Sequence, residues 1–165
     1  MAVVNTKSAL ITNADATPVD LNPYYQSRGV LREAVSTLEA VSGDSIGSTY
    51  RMVRLWSGWR LSSLLLDCDA ITTCAADIGL YRTAADGGAV VDADFFASAQ
   101  SLATALNNSD VTNESGIVDI ANKGKRLWEQ LGLTSDPGLW YDVVLTLTAA
   151  AGSAGTVTAR ARFAE

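Results

Sequence analysis

Apolar and polar residues alternate with a period of two over most of residues 30–83 and again over residues 140–163. Such alternation is typical of strands that bury one face, because successive side chains of a strand point to opposite sides of the sheet. In the first region the pattern predicts strands over residues 30–41, 48–56, 59–68 and 76–83. Residues 30–41 would also suit a helix by their Glu, Ala and Leu content, but their β-branched residues favour a strand.

Two pairs of these strands have the pattern of antiparallel hairpins. The first pair joins residues 48–56 to residues 59–68 through a two-residue turn at Ser57-Gly58. The second pair lies within residues 140–163 and folds back at a loop rich in Gly and Ala. Both of its strands are amphipathic, so we expect a hairpin with one face exposed to water.

The middle of the chain lacks this continuous alternation. Residues 94–106 carry apolar side chains at spacings of three and four, which fit either a helical turn or an irregular strand. The polar tract 107–110 predicts a loop. Residues 120–132 predict a short surface helix, because their apolar side chains share one face and Gly132 suits a left-handed C-cap.

Many short strands, frequent turn signals and one short helix in a long connection predict an all-β fold. We expect an antiparallel β-sandwich with jelly-roll-like wiring, formed as one domain by residues 29–165. Residues 1–28 hold two of the three prolines and no sustained apolar period. We therefore expect them to form an extended N-terminal arm that is ordered only where it lies on another surface.

Aromatic residues in the arm and at strand ends are the candidates for contact with a partner. Tyr24 and Tyr25 either dock the arm on its own domain or anchor it to a neighbouring subunit. Trp56 and Trp59 flank the predicted turn, and Trp140 opens a strand directly after an Asp-Pro-Gly turn. Tryptophans at such positions either form a partner surface or cap the ends of the core.

Charge is distributed unevenly along the 165 residues. The chain has 12 basic and 18 acidic residues, and residues 83–120 hold six of the acidic residues and no basic one. Because a negatively charged stretch repels polyanions, we do not expect nucleic acid as a partner. An apolar content of 48% excludes a disordered chain. No apolar run approaches the roughly 18 residues of a membrane span, so we expect no membrane partner.

The residue types available restrict the chemistry. Histidine is absent, which excludes a Ser-His-Asp or Cys-His arrangement within the chain. Asp67, Asp69 and Asp77 have no glycine-rich loop or catalytic motif beside them, so we do not expect an enzyme. The same carboxylates have the oxygen ligands that calcium prefers, but the sequence has no EF-hand spacing, and solvated turn carboxylates are the simpler interpretation.

Cys68 and Cys74 are the two cysteines of the chain. A zinc site needs four ligands, and two cysteines without histidine do not supply them, so we expect neither a metal nor a cofactor. A disulfide between the two cysteines is geometrically possible across a tight turn. Because the start of the sequence lacks the pattern of a secretory signal, we expect reduced thiols.

Three segments resemble small virion proteins encoded by tailed bacteriophages: GDSIGSTYRMVRL (43–55), LLLDCDAITTCAADIGLYRTAADGGAVVDADFFASAQSLATAL (64–106) and YDVVLTLTAAAGSAGTVTARARF (141–163). The resemblance implies a capsid decoration (cement) protein, a β-sandwich that sits on the outside of the head and bridges neighbouring major capsid subunits. It further implies contact with copies of itself as a homo-oligomer. It places the protein on the capsid surface of the virion, after synthesis in the cytoplasm of the bacterial host.

The residues themselves leave other function classes open. Exposed aromatic rings beside acidic loops also suit a carbohydrate- or receptor-binding β-sandwich module of a phage fibre. A two-carboxylate hydrolase would need two acids facing one cleft, and the sequence singles out no such pair.

Overall fold

Eight antiparallel strands form two four-stranded sheets in the computed structural model, which describes residues 4–165. Residues 1–3, the first part of the predicted arm, lie outside the described residues. The strands are β1 (Leu31–Ala40), β2 (Thr49–Trp56), β3 (Arg60–Cys68), β4 (Ala75–Arg82), β5 (Val90–Ser101), β6 (Leu106–Asp110), β7 (Trp140–Ala149) and β8 (Gly155–Ala164).

The order of the strands confirms the predicted fold class. One sheet has the order β1-β8-β3-β6 and the other has the order β2-β7-β4-β5. Apart from the step from β4 to β5, consecutive strands lie in opposite sheets, which is the wiring of two interlocked Greek keys in a jelly-roll-like sandwich. The inner faces of the two sheets enclose one core, in which Phe95, Phe96 and Leu145 are fully buried.

Both predicted hairpins are wrong, although the strands themselves are confirmed. β2 pairs with β7 and β3 pairs with β8 and β6, so the chain crosses from one sheet to the other at Ser57-Gly58. β7 and β8 likewise belong to different sheets. Period-two alternation shows that a strand buries one face, but a turn within a sheet and a crossing over the core leave the same pattern.

The outer face of β7 is also more buried than predicted. Asp142 and Val144 point away from the core but are buried, because β7 is a central strand and is covered on that side. Arg51 and Arg54 of β2 reach over it, with ion-pair distances of 3.0 Å and 2.6 Å to the Asp142 carboxylate.

The middle of the chain contains more strand than the sequence predicts. Most of the ambiguous segment 94–106 belongs to β5. The predicted loop at residues 107–110 is wrong, because these residues belong to β6. β6 is an edge strand with mostly exposed side chains, so its polar composition is compatible with a strand.

The helices are short and lie outside the sheets. They are α1 (Ala9–Ala14), α2 (Tyr24–Ser27) and α3 (Leu127–Gln130), with 3₁₀ turns at Ala84–Asp86 and Ile120–Asn122. α3 lies in the long connection between β6 and β7, where a short helix is predicted, but it covers only four residues of the predicted segment 120–132. Gly132 has the expected left-handed φ of +72°. None of the helices in residues 4–165 has the length and hydropathy needed to cross a membrane.

The arm differs from a wholly extended segment because it contains α1 and α2. Neither helix has a buried residue. The apolar side chains of Ile11, Val19 and Leu21 are exposed instead. The division into an arm of residues 1–28 and a sandwich of residues 29–165 stays a prediction.

Candidate partner-binding surface

Four aromatic rings meet at one end of the sandwich, which we call the aromatic end (Trp56, Trp59, Trp140 and Phe163). Trp56 and Trp140 are cross-strand partners at the ends of β2 and β7, with ring centroids 5.0 Å apart. Trp59 has its ring edge-to-face with that of Trp140 at 5.2 Å and stacked on that of Phe163 at 4.1 Å. Such aromatic pairs stabilise one another beyond their buried area. The cluster therefore fixes the end of the crossing from β2 to β3.

The rings of the aromatic end differ in exposure. Trp56 and Trp59 are half-buried, and Phe163 covers one face of the Trp59 ring. Trp140 is 42% exposed and presents the largest free surface of the three tryptophans. Trp56 and Trp59, which the sequence predicts to flank the turn, are thus partly packed into the end of the core. Trp140, marked in the sequence by the Asp-Pro-Gly turn before it, is the ring that reaches the surface.

The turn between Trp56 and Trp59 is built around Ser57, whose burial the sequence does not indicate. Ser57 is fully buried, and its hydroxyl donates to Asp136 Oδ1 at 2.5 Å and accepts from the Leu139 amide at 3.1 Å. Its carbonyl accepts from the Trp128 amide at 3.0 Å. The Leu127 amide of α3 donates to the Trp59 carbonyl at 2.8 Å. α3 and the segment before β7 therefore hold the turn from both sides.

The tyrosine pair lies at the same end of the molecule. The rings of Tyr24 and Tyr25 meet edge-to-face at 5.8 Å, and the Arg126 guanidinium lies 4.3 Å from the Tyr25 ring centroid. Arg60, the residue after Trp59, donates from Nε to the Tyr25 carbonyl at 2.8 Å. Tyr25 thus docks the arm on its own domain, while Tyr24 keeps 56% of its surface exposed.

All four sequence-predicted residues, Tyr24, Tyr25, Trp56 and Trp59, therefore gather at one end of the sandwich. Their contact with a partner stays a prediction.

The acidic residues considered for calcium or catalysis have structural roles in the strands. Each accepts a backbone N–H from a neighbouring segment: Asn108 N to Asp67 at 2.7 Å, Thr156 N to Asp69 at 3.0 Å and Ala99 N to Asp77 at 2.7 Å. Asp67 is also ion-paired with Arg160 at 2.8 Å. Within residues 4–165, no three Cys, Asp or Glu side chains converge as a metal-binding group. Cys68 and Cys74 are buried free thiols, and burial raises the pKa of both.

Comparison with known proteins relates the fold to a chain from a phage capsid. No protein-family model matches the sequence, and no curated protein matches it either. A chain in the cyanophage Pam1 capsid asymmetric unit is 12% identical, with 99% of each chain covered and a TM-score of 0.53. A chain in the capsid structure of the Helicobacter pylori bacteriophage KHP30 is 16% identical over 82% of this chain and 94% of that chain, with a TM-score of 0.39. The first of these has the same fold along its whole length.

Substitution of single tryptophans separates the core role from the surface role. We expect Trp59→Ala to lower the free energy of unfolding by about 2 kcal/mol, because it removes the stack on Phe163 and part of the core end. Trp140→Ala is expected to lower it by less than about 1 kcal/mol, since its ring is already partly in water. Urea unfolding followed by circular dichroism measures both. An equal loss for the two variants would contradict the assignment of Trp140 to the surface.

Proposed function

We propose that this chain is a structural protein of a phage virion, a capsid decoration (cement) protein that binds the outside of the head and bridges neighbouring major capsid subunits. The observation that carries the proposal is the fold: the jelly-roll-like sandwich matches a chain of a phage capsid asymmetric unit over 99% of both chains. The sequence resemblance to small phage virion proteins supports the same role independently of the fold.

The exposed arm supports attachment to a neighbouring subunit. Ile11, Val19 and Leu21 are 51%, 63% and 78% exposed on a segment whose two helices contain no fully buried residue. Covering these apolar side chains with another surface is favourable, because it removes them from water. On a shell, the same contact is repeated by symmetry, so each copy needs only a modest affinity. The role proposed here is structural and non-enzymatic.

Attachment of the purified full chain to shells from which it has been stripped tests the role of the arm. We expect Ile11→Ser/Leu21→Ser to weaken attachment at least about tenfold, because two exposed apolar contacts of the arm are lost. Ile46→Ser/Ile120→Ser is the matched control, since these residues are 68% and 88% exposed outside the arm. The control is expected to attach like the unsubstituted chain in a sedimentation assay.

Two outcomes would count against the proposal at different levels. Equal attachment of both double variants would remove the arm from the contact but leave the virion role in place. Absence of the chain from purified virions, measured by mass spectrometry with copy number per particle, would overturn the virion role itself. Binding of a glycan that perturbs Trp140 fluorescence, together with that absence, would instead support the carbohydrate-binding module.

A further inference from the structure

The basic residues fall into two groups by their partners. Within residues 4–165, seven of the twelve basic side chains form ion pairs. The other five are Arg28, Arg60, Lys123, Lys125 and Arg126. They come from three segments: the end of the arm, the start of β3 and the residues before α3. The chain has more acidic than basic residues, so most basic side chains are expected to have an acidic partner. Five basic side chains without one are therefore unexpected.

These three segments meet beside the aromatic end. Arg60 bonds the Tyr25 carbonyl, and the Gln26 side-chain amide donates to the Gly124 carbonyl at 3.0 Å, between Lys123 and Lys125. The Arg126 guanidinium lies over the tyrosine pair. We call the resulting patch the cationic–aromatic surface, formed by Tyr24, Tyr25, Arg28, Arg60, Lys125 and Arg126. Lys123 is left out because its Nζ lies 3.1 Å from the side-chain amide of Asn113, outside the patch.

A complementary acidic patch lies along β5 at the edge of the other sheet, which we call the acidic edge (Asp92, Asp94 and Glu114). The Ser115 hydroxyl donates to the Phe95 carbonyl at 2.8 Å, which holds Glu114 beside β5. Within the described part of the chain, none of the three carboxylates has an ion-pair partner. Burial and the neighbouring Asp94 raise the pKa of Asp92, so an approaching cation would relieve a local excess of negative charge.

We propose that the cationic–aromatic surface of one copy docks on the acidic edge of a second copy. The two patches are different surfaces of the same chain, so the contact is head-to-tail and can repeat from copy to copy. This contact rests on the proposed function, because a phage shell is where many copies would meet. It adds to that function the surfaces through which the copies join. Aromatic and arginine side chains are the types that concentrate binding energy at protein interfaces.

Nucleic acid, another class of anionic partner, fits the cationic–aromatic surface less well than a second copy does. A nucleic acid would meet a chain with a net charge of −6, and the acidic edge would repel it. A second copy meets the cations with carboxylates that the chain itself supplies. The contact is then charge-complementary on both sides, which favours encounter and sets the register between copies.

A charge swap tests this contact on the full-length chain without shells. We expect Arg28→Glu/Lys125→Glu and Asp94→Lys/Glu114→Lys each to abolish self-association, because each variant places like charges opposite one another. An equal mixture of the two variants is expected to associate again, since each changed patch meets its complement on the other variant. Lys7→Glu/Arg160→Glu makes the same change in net charge as Arg28→Glu/Lys125→Glu, at residues whose ion-pair partners Asp15 and Asp67 belong to neither patch, and serves as its matched control. Sedimentation velocity measures all of these samples.

Salt provides a second measurement on the unsubstituted chain. Self-association at about 0.02 M salt is expected to weaken at least about tenfold at about 1 M, where the Debye length is only about 3 Å. A chain that stays monomeric at low salt overturns the proposal, as does a mixture of variants that fails to associate. Binding of a DNA duplex by the unsubstituted chain, lost in Arg28→Glu/Lys125→Glu, would assign the surface to nucleic acid instead. None of these outcomes changes whether the chain is found in virions, so the two proposals fail separately.

Discussion

Gly79→Ala is expected to lower the free energy of unfolding by at least about 3 kcal/mol, the largest effect of any single substitution considered for this chain. Gly79 lies in the middle of β4, where β5 bulges toward it. A Cβ at this position would fall on the backbone carbonyls of Asp92 and Ala93, well inside van der Waals contact. Because the obstacle is backbone rather than a flexible side chain, the strand itself has to move.

Gly124→Ala is the control for this substitution. A Cβ at Gly124 would meet only the end of the Gln26 side chain, at 3.5 Å. We expect this variant to be neutral or more stable by up to about 1 kcal/mol, because alanine restricts the unfolded chain. Chemical denaturation of both variants measures the difference between them. A Gly79→Ala variant as stable as Gly124→Ala would show that β5 accommodates the methyl group and is not held against β4 at this point.

Gly79 also connects the fold to the proposed contact between copies. The close approach of β4 shapes the bulge of β5 that carries Asp92 and Asp94. If the bulge of β5 shifts, Asp92 and Asp94 change position relative to Glu114, the third member of the acidic edge, whose loop is held by the hydrogen bond from Ser115 to the Phe95 carbonyl. A glycine without a side chain of its own thus sets the spacing of the charges on the surface.

The location of most strands was predictable because it depends on local alternation. Central strands such as β8 keep one face in the core and one face accessible, so their residues alternate cleanly in burial. β6 escaped prediction because it is an edge strand with mostly exposed side chains, so it needs few apolar residues. Strand pairing escaped prediction for a different reason. Whether β2 turns back on β3 or crosses the core depends on β7 and β8, which are about a hundred residues away in sequence.

The candidate surface was predictable in its residue types but not in its grouping. Tyrosine and tryptophan at turns are visible in the sequence, and so is the acidic stretch of residues 83–120. Tertiary contacts decide which basic side chains lack an acidic partner. Arg51 forms an ion pair with Asp142 of the neighbouring strand β7, whereas Arg60, at the start of β3, donates only to the carbonyl of Tyr25. The cationic–aromatic surface therefore emerges only once the arm, β3 and α3 are brought together.

Ser57 shows how a turn-forming dipeptide can hide a buried polar contact. In the sequence, Ser57-Gly58 has the composition of a solvent-exposed hairpin turn. In the fold, the chain crosses between sheets there, and α3 and the segment before β7 cover the turn. A covered turn needs internal partners for its polar groups, because water no longer reaches them. The Ser57 hydroxyl has two such partners: it donates to the Asp136 carboxylate and accepts from the Leu139 amide.

Ser57→Ala is accordingly expected to lower the free energy of unfolding by about 3 kcal/mol. The variant loses a hydrogen bond to a carboxylate and leaves the Leu139 amide without its acceptor, and each loss contributes about 1–3 kcal/mol. Ser63→Ala is the matched control, because within residues 4–165 the half-buried Ser63 hydroxyl makes no hydrogen bond. Urea unfolding compares the two variants, and tryptophan fluorescence reports whether Trp56 and Trp59 keep their packing. A Ser57→Ala variant as stable as Ser63→Ala would contradict a supporting role for Ser57 at the aromatic end.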